Sequence, residues 1–223
     1  VPAKKVRTGI KFNLPGFAWD GRVSRYRDLS TGKFVSRQTI IDLLRNVTDN
    51  TAARLGELAR MAAKGDIPPA VFQRAAMAEL KALHLASAAL GAGGWDKLTA
   101  ADYGRVGGIL RSEYRYLNRF VYDIAAGKLT PEQAAARAAL YAGKGYSQYW
   151  AAERTRREEA AVQRGKVLYA RWLTVRDNRV CNDCAALEAL GWQPAVTFPN
   201  PGDGHTACLG NCRCSLEYEE RDE

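Results

Sequence analysis

All five cysteines of this 223-residue chain fall between Cys181 and Cys214, and the first 180 residues contain none. An odd number of thiols packed into one short stretch makes a poor disulfide framework. It is instead the pattern of a thiolate metal site in a reducing compartment. Cys181-Asn182-Asp183-Cys184 is a C-x2-C knuckle, a spacing that lets two sulfurs reach one ion from a tight turn. A second half, Cys208-Leu209-Gly210-Asn211-Cys212-Arg213-Cys214, begins 24 residues after Cys184. Structural Zn²⁺ takes four tetrahedral thiolate or imidazole ligands, so five sulfurs compete for four places. The preferred set is Cys181, Cys184, Cys208 and Cys212. Cys214 is the first alternate and His205 the second, because neighbours in a C-x-C pair do not easily point at one ion. The competing reading is five reduced, buried thiols or a disulfide formed on later oxidation, and the clustering argues against both.

A catalytic zinc keeps three protein ligands and an open position beside a general base. The cytidine-deaminase pattern, H-x-E with P-C-x-x-C, is missing: His84 precedes Leu85-Ala86, His205 precedes Thr206-Ala207, and Val180 precedes Cys181. No H-E-x-x-H, Walker A loop or G-x-S-x-G elbow occurs. The expectation is a structural zinc and a protein that is not an enzyme.

The formal charge of +9 is unevenly spread. Residues 1–35 carry +6, residues 36–128 and 129–171 carry +4 each, and residues 172–223 carry −5. A surface that grips phosphates is locally positive, so the acidic cysteine end is not expected to read nucleic acid. No apolar run approaches the roughly 18 residues of a membrane span, and no membrane partner is expected.

The predicted fold is mainly α: a helical bundle with an extended N-terminal arm and a small C-terminal α+β module stapled by zinc. Residues 1–35 read as a basic arm, with a hairpin predicted over Arg25–Val35 around a Ser-Thr-Gly turn in which Gly32 takes a positive φ. Residues 36–165 read as the helical body. Ile40, Leu44, Val47, Leu55, Leu58 and Ala62 fall at helical steps, with Thr51 the polar interruption, until Gly65. Pro68-Pro69 opens a second helix, which Gly91-Ala92-Gly93-Gly94 stops. Thr99 with Asp102 has capping-box spacing ahead of a seam through Tyr103, Val106, Leu110, Tyr114, Leu117, Val121 and Ile124. Thr130-Pro131-Glu132-Gln133 starts another helix, broken at Gly143-Lys144-Gly145 before a last one reaches about Arg164. Residues 166–223 read as the module: strands near 167–175, Ala195–Phe198 and Ser215–Tyr218, with a helical turn or two over 183–190. About 50 residues are too few to rely on their own core, which is where a metal staple belongs.

The run Trp172-Leu173-Thr174-Val175-Arg176-Asp177-Asn178-Arg179-Val180-Cys181-Asn182-Asp183-Cys184, followed by Phe198-Pro199 and Asn211-Cys212-Arg213-Cys214, resembles the C-terminal module of phage head morphogenesis proteins, the Mu F-like minor head family. Members open on W-L-T-x-x-D-x-R-V-C-x-x-C and close on H-P-N-C-R-C after a helical region. This chain departs at the closing His, where Leu209 stands with Cys208 one residue earlier. It also departs after the first knuckle, where Glu188-Ala189-Leu190-Gly191 replaces the usual Asp-Gly. The resemblance implies a structural minor capsid protein of a tailed bacteriophage virion, present in several copies and docked on the portal vertex or the capsid interior. It would assemble in the host cytoplasm with portal or major capsid protein as partner. The basic arm, through Lys4, Lys5, Arg7 and Lys11, is the expected point of any contact with packaged DNA. The alternatives are a phage-encoded nuclease or toxin-like effector, and a zinc-containing DNA-binding regulator.

Other residues that tempt a functional reading have simpler ones. Arg154, Arg156, Arg157 and Arg164 could face DNA, but Glu153 with Arg157 and Arg154 with Glu158 are intrahelical pairs worth about 0.2–0.5 kcal/mol each, so a solvated face is favoured. Tyr103, Tyr114, Tyr116, Phe120 and Tyr122 are expected in core or helix-to-helix contact, and His84 in an apolar helix is expected to be a core histidine.

Overall fold

The computed structural model describes residues 16–222, and its architecture is the expected one, mainly helical with a small strand-containing module toward the C-terminus. A hairpin comes first, β1 (Phe17–Asp20) pairing antiparallel with β2 (Arg25–Asp28) in the register Phe17↔Asp28. The helices are α1 (Arg37–Lys64), α2 (Pro69–Ala92), α3 (Ala100–Ala125), α4 (Pro131–Ala139) and α5 (Lys144–Gln163). Strand β3 (Val167–Leu173), helix α6 (Asn182–Ala189) and strands β4 (Gln193–Pro194) and β5 (Ser215–Arg221) complete the chain. The sheet is antiparallel, in the order β4-β3-β5.

The helix ends follow local chemistry. Ser36 caps α1 by accepting from the Thr39 N–H at 3.0 Å, and Gly65 closes it at φ 83°. Pro69 opens α2 in its first turn. Both predicted capping boxes form, at Thr99 with Asp102 and at Thr130 with Gln133. Thr51 is fully buried on the seam of α1, and its hydroxyl donates to the Val47 carbonyl at 2.9 Å, so its polarity carries no unmet bond. A 3-10 turn over Leu140–Gly143 makes the predicted break ahead of α5.

Three expectations are modified by the structure. The predicted hairpin turn forms, with Gly32 at φ 68°, the Asp28 N–H donating to the Lys33 carbonyl at 2.9 Å and the Val35 N–H to the Tyr26 carbonyl at 2.8 Å, but Arg27↔Phe34 is its one bridge and the longer ladder of β2 is with β1, a pairing not expected. Nor are residues 16–35 a free arm. Tyr26 is buried and its hydroxyl donates to the Leu90 carbonyl at 2.7 Å, and a Cβ on Gly93 would fall 2.6 Å from the Trp19 ring. In the module, Ala195–Thr197 is a 3-10 turn rather than a strand.

The apolar interior falls into two clusters. One joins the second half of α1 with α2, α3 and α4 around Phe72, Leu80, Leu83, Leu117 and Phe120. The other runs from Tyr26 and Ile40 through Trp150 on α5 to Trp172, Phe198 and Leu216. The cysteine module therefore shares its core with the helices, and residue 165 marks a change of secondary structure inside a continuous interior. Each large side chain fully buried there contributes about 1.5–3 kcal/mol. Helices α2 and α5 cross so closely that a Cβ on Gly91 would sit 2.2 Å from the Tyr149 carbonyl oxygen.

A buried charge cluster fastens this second core. The Glu153 carboxylate receives Arg37 at 2.6 Å and Arg157 at 2.9 Å, Arg157 also donates to the Ser24 carbonyl at 3.0 Å, and Arg37 donates to the Leu216 carbonyl. Burial alone would raise the Glu153 carboxyl, but Arg37 and Arg157 outweigh it and hold the group below the ordinary 4.5. Replacing Glu153 with Ala leaves two guanidinium groups without their counter-charge, and a loss of about 3–5 kcal/mol is expected in denaturant unfolding. A carboxyl whose folded pKa is depressed stabilises fully above its unfolded value and loses that contribution as pH falls through the folded one. Stability of the wild type should therefore decline below pH 4.5, and Glu153→Ala should flatten that limb.

Candidate metal centre

The sulfurs are brought together by two short elements. Cys181 is the N-cap of α6 and Cys184 lies in its first turn, so the knuckle wraps a helix N-terminus. Cys208 and Cys212 flank a 3-10 turn over Leu209–Asn211, with Leu209 at φ 50°, and Cys214 immediately precedes β5. The Asp183 carboxylate accepts from the Ala207 N–H at 2.8 Å, tying the first half to the second.

Cys181, Cys184 and Cys208 have their sulfurs within 4.8 Å of one another, and so do Cys184, Cys212 and Cys214. Cys184 belongs to both triads, at 3.6 Å from Cys208 and 3.9 Å from Cys212. A disulfide requires about 2.05 Å, and all five thiols are free. Four thiolates about 2.3 Å from a tetrahedral ion stand about 3.8 Å apart, close to the two separations that Cys184 makes with Cys208 and Cys212. This cluster can hold a metal ion. The preferred set of Cys181, Cys184, Cys208 and Cys212 straddles the two triads, and no four sulfurs lie all within 4.8 Å of one another among the described residues. Cys212 and Cys214 both approach Cys184, against the expectation that a C-x-C pair diverges. His205 belongs to neither triad; it is exposed and bonds Asp203 at 2.9 Å.

The electrostatics suit a cation. Burial raises the Cys184 and Cys208 thiols, and the neighbouring Cys214 sulfur together with burial raises Cys212. Crowded thiols resist becoming thiolates beside one another, and a bound divalent cation reverses that preference. Burial is the largest single influence on Cys181 and raises it, but hydrogen bonds from the backbone N–H groups and thiols of Cys184 and Cys208 together outweigh it, and the thiol is lowered overall.

The surrounding polar groups are engaged in holding the two halves. Asp177 forms a two-pronged pair with Arg213 at 2.6 and 2.7 Å, which lowers its carboxyl to about 2. Glu188 accepts from the Thr174 N–H and hydroxyl at 3.2 and 2.7 Å. Tyr146 of α5 donates to the Cys214 carbonyl at 2.9 Å, and Arg45 of α1 to the Arg213 carbonyl at 2.7 Å. The Asp177–Arg213 clasp and these two anchors were not foreseen as partners. Asp177 and Arg213 belong to opposite halves of the motif, which was the one available sign.

The residues considered for DNA divide unevenly. Arg156 pairs with Asp102 and Glu159, Arg157 with Glu153, Arg164 with Glu220, and Arg154 donates to the Pro199 carbonyl. Lys4, Lys5, Arg7 and Lys11 lie outside the described residues. His84 is in the core as expected, with Nε2 2.8 Å from Glu113. Phe120 is buried and Tyr114 donates to the Met77 carbonyl, but Tyr103, Tyr116 and Tyr122 face solvent. No helix of the described residues is long and apolar enough to cross a membrane.

Comparison with family models, curated proteins and solved structures finds no match for this chain. Fold and site together define a helical protein with a cysteine-rich α+β module able to hold a metal ion. Because Cys184 is common to both triads, Cys184→Ser should abolish stoichiometric metal uptake, whereas His205→Ala should leave it unchanged, as read by elemental analysis of the purified variants.

Proposed function

We propose that this chain is a non-enzymatic minor head protein of a tailed phage, whose basic N-terminal region and helical body dock on portal or capsid while a structural Zn²⁺ staples the C-terminal module. The supporting observation is the joining of the two motif halves: the sulfurs gather in two triads that share Cys184, and Asp177 of the opening clasps Arg213 of the C-R-C close. Those are the residues that carry the resemblance to the Mu F-like family.

A structural role for the metal is favoured over a catalytic one by the state of the nearby carboxylates. Asp177, Asp183 and Glu188 each accept hydrogen bonds from the module's own groups, which leaves them badly placed to act as a general base on a metal-bound water. Thiolate-rich closed sites are the structural kind.

Two measurements test the two parts of the reading. Purified protein should carry about one zinc per chain, and a strong chelator should lower its thermal midpoint, with increased hydrogen exchange concentrated in residues 174–214. A metal-free protein of unchanged midpoint would defeat the staple. For the head role, the chain should co-sediment with portal rings or procapsids of the phage that encodes it, with portal and capsid genes beside its own. Absence from both particles, or an adjacent immunity gene, would favour the effector alternative.

A further inference from the structure

Most arginines of the described residues point inward or pair with carboxylates; Arg74 on α2 stands alone among the exceptions, and α3 carries a row of them. Arg111, Arg115 and Arg119 are exposed, and none has a hydrogen bond or ion pair among the described residues. Four-residue steps advance about 6 Å along a helix and stay on one face, so the three guanidinium groups form a line about 12 Å long. Tyr122 extends the line by three more residues, exposed at 66%, with the Lys128 ammonium 5.0 Å from its ring centroid. Tyr103 and Tyr116 flank the line, also exposed. Toward the start of the helix the same side carries Gly104, Gly107 and Gly108, where an added Cβ would meet nothing within 4 Å.

No carboxylate of α3 neutralises this face. Asp102 is buried against Arg105 and Arg156, Glu113 is buried against His84, and Asp123 is held by Lys128 and Arg137. α3 packs on α2 along the opposite side, through Val106, Leu110, Leu117 and Phe120. Its outer face is therefore a one-sided cationic ridge on an outlying helix.

We infer that this α3 ridge, Arg111, Arg115 and Arg119 with Tyr122, binds the sugar-phosphate backbone of duplex DNA without regard to sequence. Three like charges about 6 Å apart repel one another, and a partner with regularly repeated negative charge relieves all three together. Arginine and tyrosine are both donors to phosphate oxygens, and the bare glycine stretch lets a strand approach the helix backbone. Arginine and tyrosine also occur at protein interfaces, but a protein partner would have to set carboxylates at matching intervals opposite all three guanidinium groups, whereas a nucleic-acid backbone carries negative charge at regular intervals along its whole length. Nucleic-acid interfaces are the more polar and more positive kind. The inference rests on α3 alone and stands whether or not the chain is a phage head component.

The test uses the full chain and a short random-sequence DNA duplex, followed by fluorescence anisotropy over a range of salt. Each phosphate contact contributes about 0.9 to the slope of log affinity against log salt, so Arg111→Gln, Arg115→Gln and Arg119→Gln together should lower the slope by about 2.7. Between about 50 and about 200 mM salt, the wild type should then lose about 40-fold more affinity than the triple variant. Triple replacement by Lys should keep most of the slope, which separates charge from a folding defect. A control with the same charge removed at Arg171, Arg176 and Arg221 should keep the contribution assigned to α3, and the circular-dichroism melt of each variant should match that of the wild type. A fourth protein, with Lys4, Lys5, Arg7 and Lys11 changed to Gln, should retain the α3 slope. Unchanged affinity and slope in the triple Gln variant would overturn the proposal. So would binding of polyglutamate, but not duplex, with the same arginine dependence, since that would assign the ridge to an acidic protein.

Discussion

The Glu153 carboxylate holds together elements that would otherwise meet only through apolar contact. Its two guanidinium partners come from the start of α1 and from α5 itself, and through them it reaches the Ser24 carbonyl beside the hairpin and the Leu216 carbonyl of β5. Such a cluster need not add net stability over a hydrophobic replacement, because removing three charges from water is costly. What it adds is specificity. The carboxylate cannot stay charged in the interior unless Arg37 and Arg157 are both in place, so the hairpin, both helices and the last strand must arrive in one arrangement. Trp150 and Tyr149 pack beside it, with rings 5.0 Å apart, and the arginines lie over neighbouring aromatic faces.

That arrangement changes the meaning of a metal staple. The module between β3 and β5 is too short to bury an adequate core alone, but it does not stand alone. Trp172 and Leu216 join Trp150 in one interior, and the α5 and α1 side chains Tyr146 and Arg45 bind backbone carbonyls next to the sulfurs. At Gly143 a Cβ would lie 2.7 Å from the Gly210 carbonyl oxygen, so the cysteine loop rests directly on the helical backbone. A bound ion then has the limited task of fixing the loop from 174 to 214, whose own regular structure is one short helix, two residues of strand and two 3-10 turns.

Much of this fold is legible in the sequence where a single residue type determines a local conformation. Ser36, Thr99 and Thr130 cap helices, Gly65 ends one and Pro69 begins one, because capping bonds and left-handed φ values depend on nearest neighbours. The gathering of cysteines is legible for the same reason at its first half, where a C-x2-C knuckle is a local geometry. The second half is not. Cys212 and Cys214 both approach Cys184 because the 3-10 turn at 209–211 and the start of β5 re-aim them, and those depend on tertiary contacts with Gly143 and Tyr146. The β1 ladder is hidden for a similar reason: β2 has turn signals on both sides and pairs on both, with Phe34 in a single bridge and with β1 in the longer ladder, and its docking through Tyr26 on Leu90 is a tertiary contact.

Charge shows the same divide between composition and placement. The −5 of the C-terminal segment suggested a module that would avoid phosphates. In the fold several of its carboxylates face arginines nearby, Glu220 with Arg164 and Glu217 with Arg171. The excess positive charge of the body is thus partly committed to keeping the module and hairpin in place. Arginines near the seams of α1 and α5 are held by Glu153, Asp102 and backbone carbonyls, and they have little capacity left for a partner. On α3 the acids are buried or already paired while Arg111, Arg115 and Arg119 turn outward, so charge that looks equivalent in the sequence differs in what it can do. Net charge by segment identifies where positive residues are plentiful, but only the pairing of each one identifies which remain free to meet another molecule.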